Sequence, residues 1–260
     1  GPQSEHPAAR KSFKSFCRLP EVLLVYVTGR HRDLVKQAIQ DYALPDPAFA
    51  ITDVGTRIYQ VVDAEWLEIF RWGEEIAADW HGKSHEQLQE FLRPRAELIL
   101  QEAEKQNTCK LSYYLPLDAD QGRVIDWVEN RLSRLGVAAS LVWSIDESRN
   151  IGLLDVIPQS ASKLHALEFL QQQLGYRRDE MLFAGDSGND LSVLGSAIPS
   201  VLVANASAEV KLQAQQLSTQ NGQSAVLYLA TDQGSWLGGN YSAGILQGVC
   251  HFAPELGARL

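Results

Sequence analysis

The stretch Met181-Leu182-Phe183-Ala184-Gly185-Asp186-Ser187-Gly188-Asn189-Asp190 decides the fold, because it joins a buried strand to a helix through an acidic loop. The apolar residues 181–184 predict a strand, and the pattern after Asp190 indicates a helix to about residue 194. Asp186, Asn189 and Asp190 carry oxygen ligands of the kind that Mg²⁺ prefers. A helix N-cap with loop aspartates explains the same loop, so both interpretations remain open for this stretch alone.

A second strand and turn of this kind lie near the start of the chain. Residues 22–27 are apolar on both faces and predict a parallel strand covered by helices on each side. The strand ends at Thr28-Gly29-Arg30, and a helical pattern continues to about residue 42. A hydroxyl and a glycine N–H before a helix form a cradle for an anion. A threonine cap in an ordinary strand-to-helix turn explains these residues equally well.

Strands alternate with helices on both sides of a middle segment, which predicts an α/β fold: a Rossmann-like, doubly wound parallel-sheet core with an inserted α+β cap. We expect the core at residues 1–76 and 158–260 and the cap at residues 77–157. The other predicted elements are core helices at 7–19, 162–174, 207–217 and 243–252, core strands at 49–52 and 200–203, cap helices at 84–107 and 122–135, and cap strands at 110–115, 138–145 and 150–156.

Lys163 lies near the start of the helix that follows the predicted cap. A lone lysine in the first turn of a helix is usually solvated, but its ammonium group can also hold a phosphate oxygen. Ligands of doubly wound sheets bind beyond the carboxyl ends of the strands. We therefore expect Lys163, Thr28 and Asp186 to converge at one edge of the sheet.

The composition narrows the classes of partner. The chain has 260 residues, of which 45% are hydrophobic, and a formal net charge of −9. This charge disfavours nucleic acid and anionic membranes as partners, and it requires cations or a metal wherever an anionic small molecule binds. Three distant cysteines, Cys17, Cys109 and Cys250, fit neither a disulfide framework nor a metal cluster and predict a reducing compartment, the cytoplasm. No apolar run approaches the ~20 residues of a membrane span.

Several stretches occur in a fixed order along nearly the whole chain. They are Tyr26-Val27-Thr28-Gly29-Arg30, ITDVGTRIY at 51–59, KLSYY at 110–114, LLDVIPQ at 153–159 leading to Ser162-Lys163, GDSGND at 185–190, and residues 244–252. In this order they resemble the haloacid dehalogenase-like phosphatases with a cap between the second and third motifs, and more closely the sucrose-phosphate phosphatase type. The loop at 185–190 is the most specific part of the resemblance.

The resemblance implies a magnesium-dependent phosphoric monoester hydrolase that acts on a sugar phosphate. In this family an aspartate on the first strand attacks phosphorus and forms an aspartyl-phosphate, and a second aspartate two residues later serves as acid and base. The cofactor implied is Mg²⁺. The roles implied for this chain are Asp186 and Asp190 for the metal, Thr28, Gly29, Arg30, Lys163 and Asn189 for the phosphate, and Lys163, Thr28 and Asp190 for catalysis.

The sequence departs from the family pattern at its beginning. The family's Asp-x-Asp-x-Thr strand should precede the helix at 7–19, and residues 1–6 do not contain it. Asp118-Ala119-Asp120 follows an apolar strand but lies inside the predicted cap without the threonine, so we interpret it as a loop. We expect the nucleophile upstream of residue 1. We also expect residues 1–260 alone to be inactive and poorly stable, since the family places that strand between those ending at Thr28 and Asp186.

Substrate and function class remain open to alternatives. Sucrose 6-phosphate is the leading substrate by resemblance, and mannosylfructose phosphate and glucosylglycerol phosphate are the others. A different class of function is a non-catalytic phosphatase-like partner or regulatory domain of a sugar-phosphate synthase, which the intact Thr28, Lys163, Asp186 and Asp190 disfavour. The cap should set substrate choice, and its candidate sugar contacts are Trp80, His81, His85, Tyr114 and Trp143.

Overall fold

The structure is a computed structural model that describes residues 5–233 and 237–260. Its helices are α1 Pro7–Cys17, α2 Arg32–Asp41, α3 Phe70–Ala77, α4 His85–Leu92, α5 Gln121–Arg134, α6 Lys163–Leu174, α7 Leu191–Leu194, α8 Ala208–Gln220, α9 Ser242–Phe252 and α10 Pro254–Gly257. Its strands are β1 Val25–Val27, β2 Phe49–Thr52, β3 Arg57–Val62, β4 Glu65–Glu68, β5 Ile99–Leu100, β6 Leu111–Leu115, β7 Ala139–Asp146, β8 Ile151–Pro158, β9 Phe183–Gly185, β10 Ser200–Leu202 and β11 Leu227–Leu229.

The described residues form two compact units. The first unit consists of residues 5–25, 38–48, 167–233 and 237–260, and the second of residues 26–37 and 49–166. The expected division into a core at 1–76 and 158–260 and a cap at 77–157 is a different division of the chain, and it stays a prediction.

A short parallel sheet forms the centre of the first unit. Strand β10 pairs in parallel with β9 on one side and with β11 on the other. Helix α9 can lie close to β10 because it carries glycines where larger residues would clash. A Cβ on Gly248 would lie 2.7 Å from Val201 Cβ, and one on Gly244 would lie 2.8 Å from Val203 Cγ1. Strand β9 ends at Gly185, so the acidic loop starts where the sheet stops.

The second unit contains two sheets of four strands. The first has the order β1-β2-β3-β4, in which β2, β3 and β4 run antiparallel to one another. Thr52 is paired with Arg57 in this sheet, so residues 53–56 form the turn that reverses the chain. Trp72 of α3 is buried and donates its indole N–H to the carbonyl oxygen of Gly55 at 2.8 Å, which helps to fix this turn.

The second of these sheets has the order β5-β6-β8-β7 and is antiparallel throughout. Alternate residues of β6 and β8 face one hydrophobic cluster with α4 and α5, as the period of two in a strand requires. The buried members of this cluster are Trp80, Leu88, Leu92, Leu111, Tyr113, Leu115, Val124, Val128, Leu132, Val137, Leu154 and Val156. The predicted order of helix, strand, helix, strand, strand is present in this region.

The predicted helix at 84–107 is wrong over most of its length. Helix α4 ends at Leu92, and Ile99–Leu100 form strand β5 instead. Pro94 explains the early end, because proline disfavours helical geometry in the residue before it and cannot continue the hydrogen bonds. The predicted strand at 22–27 is also shorter, since β1 begins only at Val25.

The fold class is α/β with parallel strands and many helices, as predicted. Strand β1 is an edge strand of one sheet and β9 an edge strand of another. The central strand that the resemblance expects between them stays a prediction. No helix within residues 5–233 and 237–260 is both long enough and apolar enough to cross a membrane.

We predict that Gly152→Ala destabilises the protein, because strand β8 needs glycine there. A Cβ on Gly152 would lie 2.0 Å from Trp143 Cη2 and 2.8 Å from the carbonyl oxygen of Leu115. Overpacking of this kind should lower the free energy of unfolding by about 1–3 kcal/mol, measured by urea denaturation.

Gly73→Ala is the matched control. A Cβ on Gly73 would meet nothing within 4 Å, and the residue lies inside helix α3. There we expect an increase of about 0.5–1 kcal/mol, because alanine has the higher helix propensity. Equal changes in both variants would contradict the packing argument.

Candidate functional site

The predicted anion cradle lies at the end of β1. The backbone N–H of Thr28 donates to the carbonyl oxygen of Ile51 at 2.9 Å, which ties the cradle to β2. Thr28 Oγ1 accepts a hydrogen bond from the backbone N–H of Arg30 at 3.1 Å, so its own hydroxyl proton can be donated elsewhere. The side chain of Arg30 is exposed, and α2 begins two residues later.

The turn at Asp53–Gly55 lies between the cradle and residues 162–163 in the network of contacts: it is bonded to Arg30 and packed against Ser162 and Lys163. A Cβ on Gly29 would lie 3.3 Å from Val54 Cγ1, so this glycine lies close to the turn. A Cβ on Gly55 would lie 2.5 Å from the carbonyl carbon of Ser162 and 2.8 Å from the backbone nitrogen of Lys163. The structure therefore places both Gly29 and Lys163 close to a single turn, within the second unit.

This turn has a strained backbone. Asp53, Val54 and Gly55 have φ values of +54°, +55° and +97°. The left-handed region is unfavourable for a β-branched residue such as Val54, and it costs on the order of 1–3 kcal/mol. Such strain persists only where surrounding contacts hold it.

Hydrogen bonds from distant residues hold the strained turn. The backbone N–H of Asp53 donates to the carbonyl oxygen of Arg30 at 2.9 Å, and Thr56 Oγ1 donates to the carbonyl oxygen of Asp53 at 2.8 Å. Asn107 Nδ2 in turn donates to Thr56 Oγ1 at 2.9 Å. With the indole of Trp72 on Gly55, these bonds satisfy several of the polar groups of a turn that is almost entirely buried.

Lys163 is buried, with 8% of its surface exposed. It is the first residue of α6, and its backbone is packed against Gly55. A buried ammonium group needs nearby acceptors or anions, so Lys163 is not the solvated surface lysine that its place in a first helical turn suggests. Its burial fits a role in holding an anion.

The acidic loop lies in the first unit and is shaped by Asp190. The buried carboxylate oxygen Oδ2 of Asp190 accepts from the backbone N–H groups of Asp186 and Ser187, both at 3.2 Å, and from Ser187 Oγ at 3.1 Å. Gly185 is required beside it, because a Cβ there would lie 2.9 Å from this same oxygen. Asp186 and Asn189 are exposed.

The residues of this loop fit Mg²⁺ in part. Mg²⁺ usually binds through one or two protein carboxylates and completes its ligands with water and phosphate oxygens. The exposed carboxylate of Asp186 suits this role, whereas Oδ2 of Asp190 is already used to hold the loop. Within the described ranges, no three or more His, Cys, Asp or Glu side chains are grouped to hold a metal ion.

The predicted site residues thus fall into two groups. Thr28, Gly29 and Arg30 lie in the second unit together with Lys163. Asp186, Asn189 and Asp190 lie in the first unit, and the convergence of the two groups stays a prediction.

Sequence reasoning did not single out Asp53 as a buried carboxylate. Only 3% of this residue is exposed, and Thr52 Oγ1 donates to its Oδ2 at 2.8 Å. Burial raises the pKa of Asp53, against the opposing effects of the Thr52 hydroxyl and of the positive charges of Lys110, Arg57 and His31. A signal was present, because a carboxylate directly after an apolar strand and before a glycine occupies the same place as Asp186 does after β9.

Lys110 organises a second buried polar group beside the turn. Its ammonium donates to the carbonyl oxygen of Lys105 and to Ser112 Oγ, both at 2.7 Å, and lies 3.4 Å from Asp155 Oδ1. Ser112 Oγ also donates to Asp155 Oδ1 at 2.5 Å. The hydrogen-bonding capacity of Lys110 is therefore directed at these three partners.

The candidate sugar contacts of the cap differ in their surroundings. Trp80 is buried in the hydrophobic cluster, and Trp143 packs against it. Tyr114 instead donates to Glu102 Oε2 and accepts from Lys105 Nζ, each at 2.7 Å. His85 is bonded to Gln106, and His81 is exposed. No sugar contact of these residues is tested by the structure, and each stays a prediction.

Comparison with known proteins identifies the relatives of the chain. A family model described as sucrose-6F-phosphate phosphohydrolase matches residues 4–253. A HAD-like hydrolase of Nitrosococcus oceani is 44% identical over 256 residues, which are 98% of this chain and 68% of the relative. Sucrose-phosphatase 2 of Nicotiana tabacum is 30% identical over 241 residues, and the match spans 88% of this chain but only 50% of the tobacco protein.

A solved structure agrees with these sequence relatives. The sucrose-phosphatase of Synechocystis sp. PCC6803, solved in complex with sucrose and phosphate, superposes with a TM-score of 0.74 at 25% identity. The superposition covers 94% of this chain and 91% of that protein. With the family model matching most of the sequence, the chain belongs to the sucrose-6F-phosphate phosphohydrolase family, a group of phosphoric monoester hydrolases of the HAD superfamily.

Proposed function

We propose that the protein is a Mg²⁺-dependent phosphatase that hydrolyses the phosphate ester of a glycoside, with sucrose 6-phosphate as its first candidate substrate. One observation carries the proposal: a single strained turn is hydrogen-bonded to Arg30, next to Gly29 of the anion cradle, and is packed against the backbone of the buried Lys163. Family membership supports the reaction class, and the closeness of the turn to both segments supports a joint role for them in holding phosphate.

The proposed roles follow from the chemistry of each group. The Thr28 hydroxyl and the Gly29 N–H donate to phosphate oxygens, and the Lys163 ammonium balances negative charge on the transferred phosphoryl group. Asp190 keeps the acidic loop in shape, so that the exposed Asp186 can hold the metal. When bound, Mg²⁺ would supply charge that offsets the phosphate dianion. The cysteines are free in the structure, which supports the cytoplasm as the proposed compartment.

The assays follow from these roles. Turnover is measured on the natural protein, and residues 1–260 are assayed separately to test the predicted inactivity. Values of kcat/KM on sucrose 6-phosphate, mannosylfructose phosphate and glucosylglycerol phosphate rank the substrates. Absence of phosphate release from all three would favour the non-catalytic partner of a synthase.

We predict that Asp186→Ala abolishes metal-dependent turnover of sucrose 6-phosphate. Loss of the group that holds Mg²⁺ against the phosphate should lower kcat by about 1,000-fold or more, and excess chelator should do the same to the wild type. Phosphate release is the readout. Asp126→Ala, on the exposed face of α5, is the control and should stay within about twofold. Undiminished turnover in Asp186→Ala would rule out its metal role.

We predict that Gly55→Ala lowers kcat by about tenfold or more, because the new methyl group would displace the backbone of Ser162 and Lys163. The measurement is steady-state phosphate release, with thermal unfolding as a check on folding.

Gly82→Ala separates displacement from backbone strain. Gly82 also has a positive φ, +78°, but a Cβ there would meet nothing within 4 Å. In both variants alanine must adopt a left-handed backbone conformation, which costs roughly 1–2 kcal/mol. Only in Gly55→Ala would the new methyl group also displace the backbone of Lys163. If the two variants lost the same activity at equal stability, the positioning of Lys163 by this turn would be refuted.

A further inference from the structure

Asn107 is a buried amide that acts as a hydrogen-bond donor to Thr56. It lies in the loop before β6, and 8% of its surface is exposed. Its Oδ1 accepts the backbone N–H of Cys109 at 2.8 Å, and its Nδ2 donates to Thr56 Oγ1 at 2.9 Å. The N–H of Cys109 needs an oxygen as its acceptor, so it determines which end of the amide faces Thr56.

The loop that carries Asn107 is held by bonds of its own. The backbone N–H of Asn107 donates to the carbonyl oxygen of Lys110, and that of Lys110 donates to the carbonyl oxygen of Asn107, both at 3.1 Å. The neighbouring side chain of Gln106 donates to the carbonyl oxygen of Ser112 at 2.9 Å and accepts its N–H at 2.8 Å. None of these bonds involves the turn at Asp53–Gly55, so the loop provides a fixed anchor for it.

The amide of Asn107 determines where the hydroxyl proton of Thr56 points. A hydroxyl group has one proton to donate. Because Thr56 Oγ1 accepts from Asn107, it donates its own proton to the carbonyl oxygen of Asp53, at 2.8 Å. Only 2% of Thr56 is exposed, so bulk water cannot readily replace either bond. Asn107 therefore supports the strained turn through Thr56.

The turn that is supported in this way packs against the backbone of Lys163. The positive φ angles of Asp53 and Val54 are unfavourable and persist only while surrounding bonds hold them. A Cβ on Gly55 would overlap the backbone of Ser162 and Lys163, which shows how closely the two segments approach. Relaxation of the turn would therefore shift the backbone from which the Lys163 side chain extends.

We propose that Asn107 is a positioning residue: acting through Thr56 and the strained turn, its amide holds Lys163 where the ammonium group balances the charge of the transferred phosphoryl group. This inference rests on the proposed function, because it takes Lys163 to hold phosphate. All three residues lie in the second unit. A general contribution of Asn107 to stability is the competing explanation.

Asn107→Ala and Thr56→Val test the proposal in the natural protein, by steady-state turnover of sucrose 6-phosphate. Each variant should lower kcat by about tenfold or more and leave KM within about twofold, because a displaced Lys163 affects the charge that develops during the reaction. Thr56→Ser keeps the hydroxyl group and should keep kcat within about threefold of the wild type. Equal losses in Thr56→Ser and Thr56→Val would overturn the proposal.

The double variant Asn107→Ala/Thr56→Val tests whether the two side chains act in one series. If they do, its kcat should be about that of the slower single variant, since either change already breaks the connection. Losses of kcat that multiply in the double variant would contradict the proposed series.

Gln101→Ala is the matched control for stability. Gln101 is also a buried amide, with 6% exposed, and its Nε2 donates to the carbonyl oxygen of Tyr113 at 2.8 Å, away from the turn. Its loss should lower Tm by a few degrees, as that of Asn107 does, but leave kcat within about twofold. If both variants lost the same Tm and the same kcat, general stability would explain the effect and the proposal would fail.

Hydrogen exchange distinguishes failure of this inference from failure of the proposed function. The backbone N–H groups of Ala161, His165 and Ala166 are hydrogen-bonded and report on the segment around Lys163. Asn107→Ala should raise their exchange rates by about three- to tenfold, and Gln101→Ala should not. Raised exchange supports the coupling even if the wild type releases no phosphate, and unchanged exchange in Asn107→Ala would overturn it.

Discussion

The strained turn at Asp53–Gly55 is the constraint on which the second unit depends. Two consecutive non-glycine residues in the left-handed region, Asp53 and Val54, are unfavourable by themselves, and the hydrogen bonds from Trp72 to Gly55 and from Asn107 to Thr56 help to hold the turn. The chain reverses tightly here between β2 and β3, and the turn packs against the backbone of Ser162 and Lys163. Strain of this sort is common where a structure must hold functional groups in one arrangement.

A protein with a net negative charge needs positive groups close to any anion that it binds. The chain carries a net charge of −9, yet Lys110 and Lys163 are both buried in the second unit. Burial makes their fields stronger than those of surface lysines, because less water screens them. The same low polarity makes unsatisfied groups costly, which explains why Lys110 is surrounded by acceptors.

Part of this arrangement could be predicted from local sequence. Strand β2 matches its predicted bounds, and helices α5 and α9 lie within a residue or two of theirs, because apolar periodicity and caps act over a few neighbouring positions. The prediction of a helix at 84–107 was wrong beyond Leu92, because Pro94 ends the helix although the residues around it favour helical structure. The buried state of Lys163 could not be predicted either, since a lysine in a first helical turn is solvated unless other segments cover it.

The sequence by itself determined the α/β class, the order of the motifs and the chemical character of each loop, because composition and periodicity are properties of contiguous residues. Only the tertiary structure decided that Asp53 is a buried acceptor and that its turn adopts positive φ. Those features depend on Trp72 and Asn107, which lie far along the chain and reach the turn only once the unit has folded. Burial and backbone strain are set by such distant contacts, and no local pattern encodes them.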